Sequence, residues 1–363
     1  MDKKYITVNI GSSSKRYGFY EMDNLIISFH FEHDDNRSFL TINNNAREMI
    51  SSHTFEYAFL TFFNKLKELS HLSNDKDISG IGVRVVAPGE YFSHHRIIDS
   101  MFIRKLIETE ESDIAHISPV IKELKYIREV LPTVKVISAS DSAFHNTMPE
   151  FVKNYAIPKD IAVKANVYRF GFHGLSIGSI VNYLKKQNNK IDSRIIVCHL
   201  GNGASVTALL NGKSIDTSMG YSPLDGLVMS SRVGNIDVGA IIKLGSIKSL
   251  NELQNIFYKE SGLLALSGVS YDMRTLLEKE KQGHKGACMA IEKFIYDVKR
   301  YIGSYTAVLG GLDTLVFSGA IGENASSIRE RICKGFVESI KPNVYVIKTQ
   351  ESDEIARILK ENL

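Results

Sequence analysis

The sequence predicts a duplicated α/β fold, two domains in one chain, each a mixed β-sheet flanked by helices. Two observations carry this reading. The first is a repeated device. Val8-Asn9-Ile10-Gly11-Ser12-Ser13-Ser14 closes an extended N-terminal segment, and His199-Leu200-Gly201-Asn202-Gly203-Ala204-Ser205 follows the apolar run 194–198. In each, a β-branched strand enters a Gly/Ser/Asn turn and leaves as another strand. The small residues leave backbone N–H groups open beside hydroxyls and an amide, which suits phosphate oxygens. The second observation is the order of elements around each turn: a β-meander, then alternating helices and strands. Two such halves closing on a nucleotide point to phosphoryl transfer rather than to nucleotide binding alone.

The elements follow in order. Residues 5–10, 15–21 and 25–31 read as strands, with Met22-Asp23-Asn24 as a tight turn. Asp34-Asp35-Asn36 and Asn43-Asn44-Asn45 read as polar loops. Residues 56–69 put Phe59, Phe63 and Leu66 on one face of a helix. Residues 78–86 form a strand, and 118–130 a helix opened by Ser118-Pro119. Residues 134–138 form a strand that ends at Ala139-Ser140-Asp141. In the second half, 194–198 and 206–210 are strands. Asn211-Gly212 is a type I′ hairpin turn returning the chain through 213–217. Residues 287–309 form a long helix with Ile291, Phe294, Ile295, Val298, Ile302, Tyr305 and Leu309 as its apolar positions. A strand at 314–317, a glycine-bearing turn at 319–324, a helix at 326–336, a strand at 344–347 and a helix at 353–360 complete the chain. This is the pattern of an actin-like, or RNase H-like, fold. The expected boundary lies near Met148-Pro149. One domain then spans 1–149 with the terminal helix 352–363, the other 150–351.

Composition narrows the function. The chain has 363 residues, 44% of them hydrophobic and 23% charged, the balance of a soluble globular protein. A net charge of +3 with scattered Lys and Arg argues against nucleic acid as a partner, and no apolar run approaches transmembrane length. Cys198, Cys288 and Cys333 lack metal-ligand spacing and read as reduced thiols of a cytoplasmic protein. Met1-Asp2-Lys3-Lys4-Tyr5 leads into a strand without a signal-peptide core. Gly212-Lys213-Ser214 resembles the end of a P-loop, but Thr207 stands at the required glycine, and no G-x-G-x-x-G follows a strand. The stretch from Asp216 to Gly234 is polar, glycine-rich and long for a loop, which marks it as functional.

Taken together, Asn9 to Ser14, Arg84-Val85-Val86, Asp141 to Pro149, Phe170-Gly171-Phe172-His173-Gly174, His199 to Ser205, Asp216 to Gly234, Gly268 to Arg274 and Ser318 to Asn324 resemble the acetokinase family, the acetate and propionate kinases of the actin-like superfamily. The motifs run in the family's order over nearly the whole chain. The resemblance implies reversible transfer of the ATP γ-phosphoryl group to acetate, giving acetyl phosphate and ADP, in a cleft between the domains. It implies Arg84 on the acyl carboxylate, with Val86, Phe172 and Pro223 around the methyl group. His173 and Arg232 would stabilise the phosphoryl group in flight, and Asp141 matches the residue assigned acid/base work. A carboxylate arrives ionised at neutral pH, so Asp141 suits an orienting role as well. Asn9 and Glu351 match positions associated with Mg²⁺, with Mn²⁺ as the alternative ion. Arg16, His199, Leu200, Gly201, Asn202, Gly203, Asp272, Met273, Arg274, Ala320, Ile321, Gly322, Glu323 and Asn324 match ATP-contacting positions. A homodimer joined through the second domain is implied too. The alternatives are a propionate kinase, or an impaired paralogue that binds without turnover.

The chain departs from the family pattern at several points. The family's Ser-Leu-Lys is Ser14-Lys15-Arg16, and its His-Gly after the Arg-Val-Val is Ala87-Pro88. The Leu-His-Asn-Pro segment has become His116-Ile117-Ser118-Pro119. Ala320 replaces a glycine near the expected nucleotide, and Asn235 replaces an aspartate in Gly234-Asn235-Ile236-Asp237.

Overall fold

The computed structural model describes residues 3–11, 13–34, 37–43, 45–109, 114–188 and 191–363, with the side chains of 114–116 and 188 excepted. Met1, Asp2, Ser12, Asp35, Asn36, Asn44 and the His116 side chain, all invoked above, lie outside this description. The chain divides into two compact units, Met1–Ala143 with Gln350–Leu363, and Phe144–Thr349.

The first unit contains β1 (Lys4–Ile10), β2 (Ser14–Glu21), β3 (Asn24–Asp34), β4 (Arg37–Ile42), β5 (Glu48–Ile50), β6 (Ile78–Val85), β7 (Arg96–Ile97) and β8 (Val136–Ser140). They form one sheet in the order β5-β4-β3-β2-β1-β6-β8-β7. β1, β2 and β3 pair antiparallel, while β6 joins β1 and β8 joins β6 in parallel. One face buries an aromatic core. Phe59, Phe62 and Phe63 from the helix Ala58–Glu68 meet Tyr17, Phe29 and Phe31, and Tyr17 stacks on Phe62 at 5.1 Å. Each such side chain contributes about 1.5–3 kcal/mol by burial. The helix Glu351–Asn362 covers the other face. Ala356 and Leu359 pack on Tyr5, Tyr20 and Ile137, and the Tyr20 hydroxyl donates to Asp353 at 2.7 Å. Gly82 of β6 permits this approach, since a Cβ there would lie 2.6 Å from the Ile355 side chain.

The second unit contains β9 (Arg194–Leu200), β10 (Ala204–Leu210), β11 (Lys213–Thr217), β12 (Thr314–Ser318) and β13 (Asn343–Val346), ordered β11-β10-β9-β12-β13. Its pairing pattern is that of β3-β2-β1-β6-β8, an antiparallel trio followed by two parallel steps. The duplicated mixed α/β fold predicted from the sequence is therefore present. Asn211 and Gly212 have φ of 52° and 76°, as a type I′ turn requires.

Several local expectations are corrected. The helix expected at 118–130 begins at Ile114, so Pro119 lies inside it instead of opening it. The helix expected at 56–69 breaks at Tyr57 into Ser52–Glu56 and Ala58–Glu68. β9 continues through His199 and Leu200, which shortens the turn to Gly201-Asn202-Gly203. Residues 319–324 form a short helix, not a turn. Its entry bends at Gly319, φ 77°, where a Cβ would fall 2.7 Å from the Leu200 carbonyl oxygen. The helix expected at 326–336 ends at Cys333, and a second begins at Phe336.

Candidate active site

In the first unit, the carboxyl ends of the adjacent strands β1, β6 and β8 bring Asn9, Arg84 and Asp141 together. Ligands of open α/β sheets sit at such strand ends. The terminal helix adds Glu351, its first residue. Arg84 donates from Nη2 to Asp141 Oδ2 at 2.9 Å and from Nη1 to Asn9 Oδ1 at 3.2 Å, and Nη1 lies 3.6 Å from Glu351 Oε2. Asn9 Nδ2 donates to the same Glu351 oxygen at 2.7 Å. The Asp141 N–H donates to the Val85 carbonyl at 2.9 Å, so its position is set by the backbone of the strand that carries Arg84. Burial by itself lowers the Arg84 pKa, but the carboxylates of Asp141 and Glu351 outweigh it and raise the pKa above its ordinary value. The cation is permanent. Its Nε is buried without a hydrogen-bond partner among the described residues.

In the second unit, a different set gathers around the turn Gly201-Asn202-Gly203. A Cβ on Gly203 would lie 3.1 Å from His173 Nε2 and 3.6 Å from Arg232 Nη1, so both groups converge over this glycine. The turn holds the loop that carries Arg232. The Ser230 N–H and hydroxyl donate to the Asn202 carbonyl and Oδ1 at 3.3 and 3.2 Å. Gly262, φ 66°, lets the next helix pass, since a Cβ there would sit 2.2 Å from the Met229 carbonyl oxygen. His173 has φ 61°, unusual outside glycine, and its Nδ1 lies 2.9 Å from the Ser205 hydroxyl. The His199 ring packs on His173 with centroids 4.3 Å apart, and His199 Nδ1 meets the Ser176 hydroxyl at 2.8 Å. Gly201 also faces the backbone of the short helix, 3.8 Å from the Ala320 nitrogen to its constructed Cβ.

The remaining expected residues take varied positions. Val86 and Phe172 are buried, and the buried Pro223 offers its carbonyl 3.5 Å from Arg232 Nη1. Arg16 is exposed on β2 and pairs in register with Asn9, which puts it on the same sheet face. Asp272 caps the helix Met273–Lys281, accepting from the Arg274 N–H at 2.8 Å. The Arg274 side chain holds its carboxyl below the usual range. Met273 is buried and the Arg274 side chain exposed. Glu323 accepts from the Gly319 N–H at 3.1 Å, and Asn324 donates to the Ala320 carbonyl at 2.8 Å, so both hold the short helix. Gly322 is buried, Ile321 half-buried, and Ala320 exposed. Among the described residues, no group of three or more His, Cys, Asp or Glu side chains is placed to hold a metal ion.

Sequence reading missed one buried ionic group. Lys15 Nζ lies 2.9 Å from Glu123 Oε2, and the Tyr17 hydroxyl donates to the other Glu123 oxygen at 2.5 Å. Lys15 follows the phosphate-like turn, yet it points into the aromatic core, while its neighbour Arg16 faces the other way. Ser176 and Gly262 were missed as well, because their partners lie on other elements.

The Acetokinase family profile matches residues 4–354. An acetate kinase from Brachyspira hyodysenteriae is 43% identical over 274 residues, 75% of this chain and 69% of that protein. The crystal structure of a propionate kinase from Francisella tularensis superposes with a TM-score of 0.89 at 30% identity, covering 99% of both chains. That of Porphyromonas gingivalis acetate kinase does so with a TM-score of 0.85 at 30% identity, again over 99% of both.

Proposed function

The chain belongs to the acetokinase family, kinases with a carboxylate acceptor, and from this premise we propose that it transfers the γ-phosphoryl group of ATP reversibly to acetate. The observation that carries the acceptor assignment is Arg84, a half-buried, permanently charged guanidinium whose buried Nε has no hydrogen-bond partner among the described residues, held by the carboxylates of Asp141 and Glu351. A planar fork of this kind fits a carboxylate. Asp141 orients Arg84, since an ionised acceptor requires no base. His173 and Arg232, converging over Gly203, meet the phosphoryl group as its charge spreads, with preorganised donors supplying most of the rate. The nucleotide phosphates lie on the Gly201–Gly203 turn, with Asp272, Met273, Arg274 and residues 320–324 lining the nucleoside.

The oxygen donors Asn9 Oδ1 and the Glu351 carboxylate fit Mg²⁺, which is commonly held through one or two protein oxygens together with substrate phosphates and not by a dedicated cage. Mn²⁺ takes similar ligands. Bound there with ATP, the ion would neutralise phosphate charge. A second reading, propionate as acceptor, is favoured by the structural likeness to the Francisella protein. The β-branched Val86 supports acetate instead. One methylene is worth about 1–3 kcal/mol, so both acids should react. The three free cysteines fit a cytoplasmic enzyme. Exposed Val238, Ile242, Ile247 and Leu250 support a homodimer joined through the second unit.

The test is ATP-dependent phosphorylation of acetate, propionate, butyrate and glucose, with acyl phosphates trapped by hydroxylamine. Acetate should give the highest kcat/KM. A larger value for propionate overturns the acetate assignment, and turnover of glucose alone overturns the acceptor class.

A further inference from the structure

We infer that Arg169 is a positioning residue that sets the spacing between the segment carrying His173 and the loop carrying Arg232. The inference rests on the reading of those two side chains as the groups that meet the phosphoryl group in flight. Arg169 precedes His173 on one segment, and Asp225 precedes Arg232 on the other. β11 ends at Thr217, and from there residues 169–171 take up carbonyls of the chain. Arg169 Nη1 donates to the Thr217 carbonyl at 2.9 Å and to the Met219 carbonyl at 3.2 Å. The Phe170 and Gly171 N–H groups both donate to the Gly220 carbonyl, at 3.1 and 3.2 Å. The same Nη1 lies 3.5 Å from Asp225 Oδ2, and Asp225 Oδ1 accepts from the Gly226 N–H at 2.9 Å.

The backbone bonds of Phe170 and Gly171 stop at Gly220. The Arg169 side chain carries the contact on to Asp225, within the loop that leads to Arg232. Two glycines show how closely these parts are pressed together. A Cβ on Gly171, φ 72°, would lie 2.5 Å from the Thr217 side chain, and one on Gly226, φ 105°, would lie 2.6 Å from the Ser218 carbonyl oxygen. Thr217-Ser218 is thus a spacer with the His173 segment against one residue and the Arg232 loop against the other. A guanidinium suits this place, because it stays charged when buried and serves carbonyls and a carboxylate together. Without it the two segments are free to shift on the spacer, and a misplacement of about 1 Å at reacting groups costs about 10²-fold in rate.

The test is a double-mutant cycle in the full-length protein. Arg169→Gln is made in wild type and in Arg232→Ala, and kcat and acetate KM are measured with ATP and Mg²⁺ beside melting temperatures. Arg194→Gln is the control. Arg194 also joins a carbonyl, that of Gly310 at 2.9 Å, to an aspartate, Asp313, but it does so at the far end of β9. In wild type, Arg169→Gln should lower kcat about 10–100-fold, with acetate KM within about threefold. In Arg232→Ala it should cost less than about threefold, because the loop no longer carries the group whose place it sets. A residue that only stabilised the fold would cost the same factor in both backgrounds. Asp225→Asn cuts the link from the other side while keeping the Gly226 cap, and it should lower kcat about tenfold; it carries the test if Arg169→Gln does not fold. Arg194→Gln should keep kcat. Wild-type kcat in folded Arg169→Gln or Asp225→Asn, beside a slow Arg232→Ala, overturns the proposal and leaves the reading of Arg232 standing. Wild-type kcat in folded Arg232→Ala overturns that reading and the proposal together. Equal factors in the two backgrounds, or an equal loss in Arg194→Gln, also overturn it.

Discussion

Arg84 and Arg232 are both guanidinium groups, yet their surroundings assign them different work. Arg84 is bound by the carboxylates of Asp141 and Glu351 at the strand ends of the first unit, whereas Arg232 converges with His173 over Gly203 in the second. Arg84→Ala should therefore raise the acetate KM about 10–100-fold, the worth of a hydrogen bond to a charged group at roughly 1.5–3 kcal/mol. It should also lower the melting temperature, because Asp141 is left buried without its cation. Arg232→Ala should lower kcat about 10²–10³-fold with a smaller change in KM. Steady-state kinetics beside thermal melts separates these outcomes, and wild-type turnover by folded Arg232→Ala would remove that residue from the mechanism. His95 adds a pH dependence. It accepts the Ser140 N–H at 3.1 Å, next to Asp141, and burial, then the nearby Arg357 charge, depress its pKa to about 4. A base with a depressed folded pKa takes up protons more readily when unfolded. Its contribution is thus present above pH ~6.5 and is lost as pH falls toward 4. Denaturant titrations at pH 7.5 and 4.5 should show a loss on the order of 1 kcal/mol or more in wild type that shrinks in His95→Gln.

At the scale of elements, the position of the loop that carries Arg232 depends on glycines. Gly262 at φ 66° has no room for a Cβ beside the Met229 carbonyl. Gly262→Ala should displace the 229–232 segment and reduce kcat at least about tenfold, with a lower melting temperature. Unchanged kcat would mean that the loop is not held from this side. The Gly/Ser/Asn turns, the meanders and the long helix were legible because each is a local pattern. The grouping of Asn9, Arg84, Asp141 and Glu351 was legible only through the family's motifs, since nothing local relates residue 9 to residue 351. Lys15 shows where local reading ended. Alternate residues of a strand face opposite sides, so Lys15 and Arg16 part company, and Glu123, the partner that permits a buried lysine, lies 108 residues away. The 319–324 segment was read as a turn from its two glycines, whereas one of them, Gly319, sets the entry to a helix.

At the scale of the whole molecule, exposed apolar residues concentrate on the segment from Val238 to Leu250. Val238, Ile242, Ile247 and Leu250 are each at least 68% exposed. Such a patch is costly to leave in water. Light scattering at micromolar concentration should give twice the 40.6 kDa chain mass, and Ile242→Glu should shift the protein toward the single-chain mass. A monomer in wild type would refute the homodimer.

The terminal helix Glu351–Asn362 has a consequence for how the protein is made. The chain leaves the first unit at Ala143 and returns to it at Gln350, so the second unit is one uninterrupted segment and the first is not. On the ribosome, the sheet from β1 to β8 emerges early but lacks the helix that covers Tyr5, Tyr20 and Ile137. With chain growth at roughly 5–20 residues per second, more than 200 residues must follow β8 before that helix appears. The later-made unit therefore has its full complement of residues first. The earlier-made one waits with an apolar sheet face open to water, and Glu351, which completes the Arg84 cluster, arrives with the same last segment.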